Sequence, residues 1–249
     1  MTRMLTAPTL PQALRNGINA LAATHLQVDI DPYPGMGEGD LIELFWNNCF
    51  AASRRVTACK IGQPTHLRIP ESFVQDGPAR VHYQVMQIGH GPVRSAVTRV
   101  RVKTSHPGGY PSDLYGDENQ HLPPVGLPET IRRHGVNSSQ VRRGIPLTIE
   151  PYPNMAIGDA ITLRWGDVRM DLPRLRPIEV GQPIQVWVPP AIILEAGEDL
   201  RLEVTYCILD RVGNNSRWAP PRRLKIGCAN PYLKARPKEM LMAAEPRQK

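Results

Sequence analysis

The chain has 249 residues, a formal net charge of +7, and 26 prolines and 20 glycines against only 3 phenylalanines. This length favours two domains of about 100 residues each, and the composition favours short strands joined by turns over long helices. The positive charge is concentrated toward the two ends of the chain, while residues 26–102 and 145–227 are close to neutral. That distribution is typical of solubilising tails, so nucleic acid is not a favoured partner.

The sequence predicts no membrane span, because its apolar runs fall short of the roughly 20 residues that cross a bilayer. Pro8, Pro11 and Arg15 interrupt the N-terminus before a signal-type hydrophobic region forms. We therefore expect a soluble protein that is cytoplasmic or exported by a route without a cleaved N-terminal signal. Cys49 and Cys59 could be bridged across a hairpin, but two free thiols in a cytoplasmic protein are the favoured interpretation.

A tandem repeat organises the chain. The segment IDPYPGMGEGDLIELFW at Ile30 to Trp46 returns as IEPYPNMAIGDAITLRW at Ile149 to Trp165, and the lead-in before it is repeated too. Such a duplication indicates that one folding unit was copied and that each copy keeps its own core. The predicted order is a lead-in (1–25), a first sandwich (26–103), a linker with a second lead-in (104–144), a second sandwich (145–227) and a basic tail (228–249).

The segments outside the repeated strands are predicted less sharply. Leu10, Leu14, Ile18 and Leu21 would suit a short amphipathic helix, but they would equally suit extended or single-turn segments lying against a sheet. Residues 103–125 are rich in proline and polar side chains and show little apolar periodicity. They are predicted to form an extended, partly flexible linker.

Strands are predicted from apolar residues that recur at every second position. The first strand of each copy ends at Pro-Tyr-Pro, which cannot continue a ladder. In the next strand a period of two places three large apolar side chains on one face, which must be buried. These side chains are Ile42, Leu44 and Trp46 in the first copy and Ile161, Leu163 and Trp165 in the second.

Later strands keep the same pattern. Val81, Tyr83 and Val85 match Val204, Tyr206 and Ile208, and a tyrosine at this place is typical of a phenol that ties a turn to the sheet. About seven short strands per copy, at spacings of roughly 8–12 residues, predict an all-β fold. We expect two tandem immunoglobulin-like antiparallel β-sandwiches joined by a Pro/Gly-rich linker.

The repeated motif is similar to that of a known family. The pattern PY-x-x-M-x-x-GD-x-I-x-L-x-W, followed by GQP, V-x-Y-x-[VI] and a turn at Gly213-Asn214, resembles bacterial immunoglobulin-like repeats. These occur in large, mostly uncharacterised bacterial proteins, some of them adhesin-like. The resemblance implies a modular recognition or spacing role and carries no catalytic residues. The first copy departs from the pattern at His90-Gly91.

The motifs of common enzymes are missing from the sequence. The 7 histidines show no His-x-x-x-His spacing, no Cys-x-x-Cys is present, and neither a phosphate loop nor a Gly-x-Ser-x-Gly elbow occurs. Asp29 and Asp31 are interpreted as solvated carboxylates, and His82 as a surface histidine on the outward side of its strand. We therefore predict no catalytic residue, no metal, no cofactor and no enzymatic activity.

A basic stripe is the first candidate site. Arg99, Arg101 and Lys103 alternate with Val100 and Val102 on the last strand of the first copy, and Arg223 and Lys225 repeat this in the second. Charges on an outer strand also discourage sheet-to-sheet aggregation, which explains the repetition equally well. The functional hypothesis is an anionic partner, either an acidic glycan or an acidic protein.

Two tryptophans are the second candidate site. Trp187 and Trp218 stand where the first copy has Arg68 and Arg94. Exposed tryptophans on a sandwich form sugar platforms or protein hot spots, although packing against the linker, the lead-in or the other domain is the favoured interpretation.

Three functions are consistent with these features. The leading hypothesis is a non-enzymatic interaction module that binds a protein partner or surface ligand. The alternative is a lectin-like protein that binds a glycan through Trp187 and Trp218. An enzyme with a composite site at the domain junction is the least favoured.

Overall fold

A computed structural model describes residues 4–15, 17–111 and 116–226. The described residues fall into two compact units. The first is drawn from residues 1–106 together with Asp210–Asn214, and the second from residues 107–209 and 215–249. The predicted basic tail at 228–249 lies outside the described residues.

The first unit contains two sheets. Its strands β1, β8, β6, β3 and β4 follow one another in the larger sheet, with β7 also paired to β6, and β2 and β5 form the smaller one. All described pairs are antiparallel except β1 with β8. The elements are β1 (Gly17–Ile18), α1 (Ala20–Ala23), β2 (Gln27–Ile30), β3 (Leu41–Trp46), β4 (Cys49–Arg55), β5 (Thr65–Arg68), β6 (Gly77–Met86), β7 (Val93–Arg94) and β8 (Thr98–Val102).

The second unit repeats this arrangement with longer helices. Its larger sheet has the order β11-β10-β13-β14 with β15 also on β13, and β12 pairs with β9 in the smaller sheet. The elements are α2 (Glu129–His134), α3 (Ser138–Arg143), β9 (Ile145–Ile149), β10 (Ala160–Trp165), β11 (Val168–Asp171), β12 (Ile184–Val188), α4 (Pro190–Ala196), β13 (Asp199–Leu209), β14 (Asn215–Trp218) and β15 (Arg222–Ile226).

Each unit has its own apolar core, built from the inward faces of both of its sheets. Trp46 is 2% exposed and Trp165 is 0% exposed, so both tryptophans lie in the core as the period-two pattern predicts. The burial of β3 and β10 alternates strictly, because successive side chains of a strand point to opposite faces. The chain is therefore mostly β, with a two-layer core in each unit.

In each unit the tyrosine of the repeated Pro-Tyr and the aspartate of the repeated Gly-Asp form a buried hydrogen bond. In the first unit the Tyr33 hydroxyl donates to Asp40 Oδ2 at 2.9 Å, and in the second the Tyr152 hydroxyl donates to Asp159 Oδ2 at 2.9 Å. The same carboxylate oxygens accept a backbone N–H from the intervening turn. Burial, followed by the neighbouring carboxylate, raises the pKa of both phenols. The motif is therefore a structural lock on the turn.

The two lead-ins differ from each other in structure. In the first unit Leu14 and Leu21 are exposed, and only the single-turn helix α1 forms, capped by the Asn19 side chain. The amphipathic helix left open by the sequence is thus absent from the described part of this lead-in. In the second unit α2 and α3 form, and α3 begins with a capping box between Asn137 and Gln140.

Most of the segment predicted as a linker packs into the second unit. Leu122 and Val125 are core residues, and Asn119 is 0% exposed. The Asn119 side-chain amide donates to the carbonyl oxygens of Gly108, Gly109 and Ser216 at 3.1–3.2 Å. The Tyr206 phenol donates to Pro123 O at 2.8 Å, so it ties this segment to the sheet instead of the turn expected from the sequence.

Candidate functional site

A basic face covers part of the larger sheet of the first unit. It consists of Arg80 on β6 and Arg99 and Arg101 on β8, all of them exposed. The side chains between them point inward: Ala79, Val81, Val100 and Val102 are buried in the core. Because strand side chains alternate between faces, the three arginines all project from the outer surface of the sheet.

The strand register brings like charges directly opposite each other on this basic face. Arg80 pairs with Arg99 across β6 and β8, which places their Cβ atoms about 4.5–5.5 Å apart. Within the part of the chain that the structure describes, none of the three guanidinium groups forms an ion pair. Like charges at directly opposed positions destabilise a sheet. The face is therefore positively charged and uncompensated.

The equivalent positions of the second unit include a carboxylate that pairs with one of the cations. Arg223 lies opposite Glu203 across β13 and β15, with Arg223 Nε 3.0 Å from Glu203 Oε1. Glu203 Oε2 also lies 3.8 Å from Arg164 Nη2. Lys225, the counterpart of Arg101, is exposed on β15. The stripe that repeats in the sequence is thus partly ion-paired in the second unit, whereas Arg99 and Arg101 of the first unit have no described ion pair.

Strand β8 is an edge strand along only part of the basic stripe. Its inner neighbour is β6, and on its other side Gly17 of β1 pairs with Arg101. Protection of a bare sheet edge therefore does not account for Arg101, which removes part of the support for the aggregation-control interpretation.

An aromatic and cationic cluster lies beside the basic face. The Phe45 ring stacks on His82 with centroids 5.0 Å apart and an interplanar angle of 6°, and Phe50 meets Phe45 edge-on at 6.2 Å. Arg94 Nη2 lies 3.3 Å from His82 Nδ1. His82 is consequently only 5% exposed, which corrects its interpretation as a surface histidine. Burial and the charge of Arg94 lower the pKa of the imidazole.

The second unit has an equivalent cluster in which arginines stand in place of the two phenylalanines and a tryptophan stands in place of the arginine. Arg164 and Arg169 pair across β10 and β11 where Phe45 and Phe50 pair in the first unit. Their guanidinium carbons lie 4.8 and 5.7 Å from the centroid of the Trp218 ring, which takes the place of Arg94. Trp218 is therefore half-buried, with two cations close to its ring.

Trp187 is the exposed tryptophan of the second unit. It is 55% exposed on β12, and its ring packs over Gly144, where an added Cβ would lie 2.5 Å from Trp187 Nε1. It borders a groove of about 360 Å³ whose other lining residues include Met170, Leu172 and Gln185. Trp187 belongs to the smaller sheet and Trp218 to the larger one, so the structure does not bring the two together as one platform.

The pattern along single strands does not predict that Arg80 belongs to the basic face. It belongs to the site only through its register with Arg99, which the sequence does not state. A signal for it nevertheless exists. Matching Tyr83 with Tyr206 aligns Arg80 with Glu203, so the two copies carry opposite charges at one equivalent position.

Several further features bear on chemistry. Across the described ranges, no group of three or more His, Cys, Asp or Glu side chains could hold a metal ion. No helix in those ranges is long and apolar enough to cross a membrane. Cys49 and Cys59 are free and exposed.

Comparison with known proteins finds similarity to solved structures of immunoglobulin-like and fibronectin(III)-like domains. No protein-family model matches the chain, and no curated protein sequence matches it. The chain is similar to a solved structure of a 1.5-MDa bacterial ice-binding adhesin, with 14% identity and a TM-score of 0.38 over 90% of this chain. It spans 65% of the length of that adhesin structure.

Two shorter structures are similar as well. A bacterial immunoglobulin-like domain from the M. primoryensis ice-binding adhesin matches with 16% identity and a TM-score of 0.29, over 41% of this chain and 100% of the domain. The fibronectin(III)-like modules of Clostridium thermocellum CbhA match with 12% identity and a TM-score of 0.41, over 94% of this chain and 100% of the modules. The matches thus include the adhesin-type domains that the sequence motif resembles.

Proposed function

We propose that this protein is a non-enzymatic recognition module, made of two immunoglobulin-like β-sandwich domains that hold a protein partner or a surface ligand on an exposed sheet face. The observation that carries the proposal is the opposed pair Arg80 and Arg99 on the basic face of the first unit. Each copy acts as one domain, the first over residues 26–103 and the second over 145–227, with its lead-in packed against it.

The comparison between the two copies supports this proposal. Their inward side chains agree, while the outer faces of their larger sheets differ in charge. Glu203 demonstrates that a carboxylate fits this strand position without disturbing the core. The repeated fold therefore does not require an arginine at this position. An anionic partner would compensate the three uncompensated charges, and it would gain charge-assisted hydrogen bonds from each guanidinium.

The proposal is tested by reversing the basic face in the full chain. Arg80, Arg99 and Arg101 are changed together to glutamate, and binding is measured against immobilised anionic probes, namely dextran sulfate, polygalacturonate and poly-glutamate. The matched control reverses three exposed arginines elsewhere, namely Arg68, Arg143 and Arg201.

The two triple variants carry the same net charge, so a difference between them isolates the basic face from charge in general. We expect the basic-face variant to lose binding to at least one anionic probe and the control to retain it. Equal binding by both variants to every anionic probe would reject the proposal.

The exposure of Trp187 favours a second function, a lectin that stacks a sugar on this ring beside its groove. Trp187→Ala should abolish binding on a glycan array, whereas Trp218→Ala should leave it intact because the Trp218 ring is already covered by Arg164 and Arg169. A glycan signal that survives Trp187→Ala excludes this alternative.

A further inference from the structure

We infer that the ligand of the basic face is a linear anionic polysaccharide, a chain of sugars that carries sulfate or carboxylate groups at intervals. This inference rests on the proposed recognition function and names its ligand class.

The arginines are arranged for several anionic groups instead of one. Arg99 and Arg101 are two residues apart on β8, which separates their Cα atoms by about 6.6–6.8 Å. Arg80 lies across from Arg99 on the neighbouring strand. The three side chains thus form a triangle on the sheet surface, where each guanidinium can reach a different anion of one chain. A polyanion can compensate all three charges at once.

The residue type also fits sulfate and carboxylate groups. A guanidinium is planar and donates two parallel hydrogen bonds to the oxygens of such a group, whereas a lysine ammonium acts as a point charge. The three cations of the basic face without a described ion pair are all arginines, whereas Lys103 beside Arg101 is paired with Asp210.

The surroundings favour a sugar chain over a folded protein. The neighbouring positions on the same face are Pro78 and His82 on β6 and Val97 and Lys103, which flank β8. Lys103 Nζ is paired with Asp210 Oδ2 at 3.1 Å. Val97 is a single exposed apolar side chain, so the face offers no apolar cluster for the buried anchor that a protein interface needs. Phe50 on β4 is 53% exposed and lies three strand spacings from β8, about 14 Å. A sugar ring can pack on Phe50 while the charged groups farther along the chain reach the arginines.

The same surroundings do not favour a nucleic acid. Proteins that bind single strands stack successive bases on several open aromatic faces along a basic groove. Here the Phe45 ring is stacked on His82, which leaves Phe50 as the large exposed aromatic side chain of this sheet face among the described residues. One open ring does not make such a platform.

The test compares the full chain with variants that exchange the equivalent residues of the two copies. Binding is measured on dextran sulfate, polygalacturonate, uncharged dextran, poly-glutamate and an oligothymidylate, each over a series of salt concentrations. The variants are Arg80→Glu, which copies the second unit, Arg80→Lys, and Arg68→Glu as the control. The basic C-terminal tail is present in every variant, so differences between them report on the basic face.

We expect the wild-type chain to bind one or both anionic polysaccharides and not uncharged dextran, with an affinity that falls as salt rises. Arg80→Glu should weaken this binding about tenfold or more, and Arg80→Lys less, because lysine keeps the charge and loses the paired hydrogen bonds. Arg68→Glu should bind like the wild type. The polysaccharide whose binding Arg80→Glu weakens more identifies the anionic group, which is sulfate for dextran sulfate and carboxylate for polygalacturonate.

Two results would overturn the inference in distinguishable ways. If poly-glutamate or the oligothymidylate binds through Arg80 and neither polysaccharide does, the recognition function stands and its ligand class is wrong. If no probe is sensitive to Arg80→Glu, and the triple reversal is equally without effect, the recognition function falls as well. Thermal unfolding of each variant separates lost binding from lost folding.

Discussion

Replacing Arg80 with glutamate should stabilise the protein even though it removes ligand binding. In the wild type, Arg80 and Arg99 are opposed like charges with no described counterion. The substitution turns a repulsion into the attraction that Glu203 and Arg223 make at the same place in the second unit. Stability and binding are therefore expected to change in opposite directions.

The magnitude follows from the exposure of both side chains. Two unit charges about 6 Å apart in water interact by about 0.7 kcal/mol, so reversing one sign changes the interaction by about 1.4 kcal/mol. Salt with a screening length of about 8 Å reduces this by roughly half, which agrees with the 0.2–1 kcal/mol typical of cross-strand pairs. We expect a gain of about 0.5–1 kcal/mol and a rise in Tm of about 2–6 °C.

The assay is urea and thermal unfolding at low and high salt, with Arg80→Gln as the variant that removes the repulsion without adding an attraction. Arg80→Gln should give about half the gain, and Glu203→Arg should destabilise the second unit by a similar amount. All three effects should shrink in 1 M NaCl, where the screening length is about 3 Å. An unchanged or lower stability of Arg80→Glu at low salt, or a gain that persists in 1 M NaCl, would refute this reasoning.

Three further predictions concern the Tyr–Asp hydrogen bonds, His82 and Trp218. Tyr33→Phe and Tyr152→Phe should each lower the free energy of unfolding by about 1–2 kcal/mol in urea unfolding, because each leaves a buried carboxylate short of one hydrogen bond; an unchanged free energy in either variant would argue against the lock in that unit. Because the pKa of His82 is lowered in the folded state, stability is complete above the unfolded pKa of about 6.5 and declines as pH falls below it. His82→Thr, which copies Thr205, should flatten the unfolding free energy between pH 7 and 5, and an unaltered slope would show that other groups cause it. Trp218→Leu should cost about 1–2 kcal/mol in urea unfolding through lost cation–π contacts and lost burial, whereas a neutral result would mean that the two arginines do not hold the ring.

The core could be predicted from the sequence because its signal is local. Alternation along β3 and β10 is enough to bury Trp46 and Trp165, and the duplication supplies an independent second reading of the same pattern. The burial of Leu122 and Val125 has no such signal. Their segment lacks periodicity, and its contacts are made with remote residues such as Tyr206.

The outer faces were only partly predictable because they depend on neighbours across strands. Alternation was sufficient to place Arg99 and Arg101 outside, but it takes the register to add Arg80. The outward position of His82 was read correctly, yet Phe45 and Arg94 cover it from neighbouring strands. A single strand's pattern determines which face a residue occupies, and it does not determine what lies over that face.

Exchanging the charges of the two copies is the most direct test of the account. In the wild-type chain, amide chemical-shift changes on adding a short dextran sulfate fragment should cluster on β6 and β8 around Arg80 and Arg99. In the double variant Arg80→Glu with Glu203→Arg, the same titration should shift residues of β13 and β15 around Arg223 and Lys225 instead. Perturbations that stay on β6 and β8, or that never involve either pair of strands, would contradict a binding face defined by these opposed arginines.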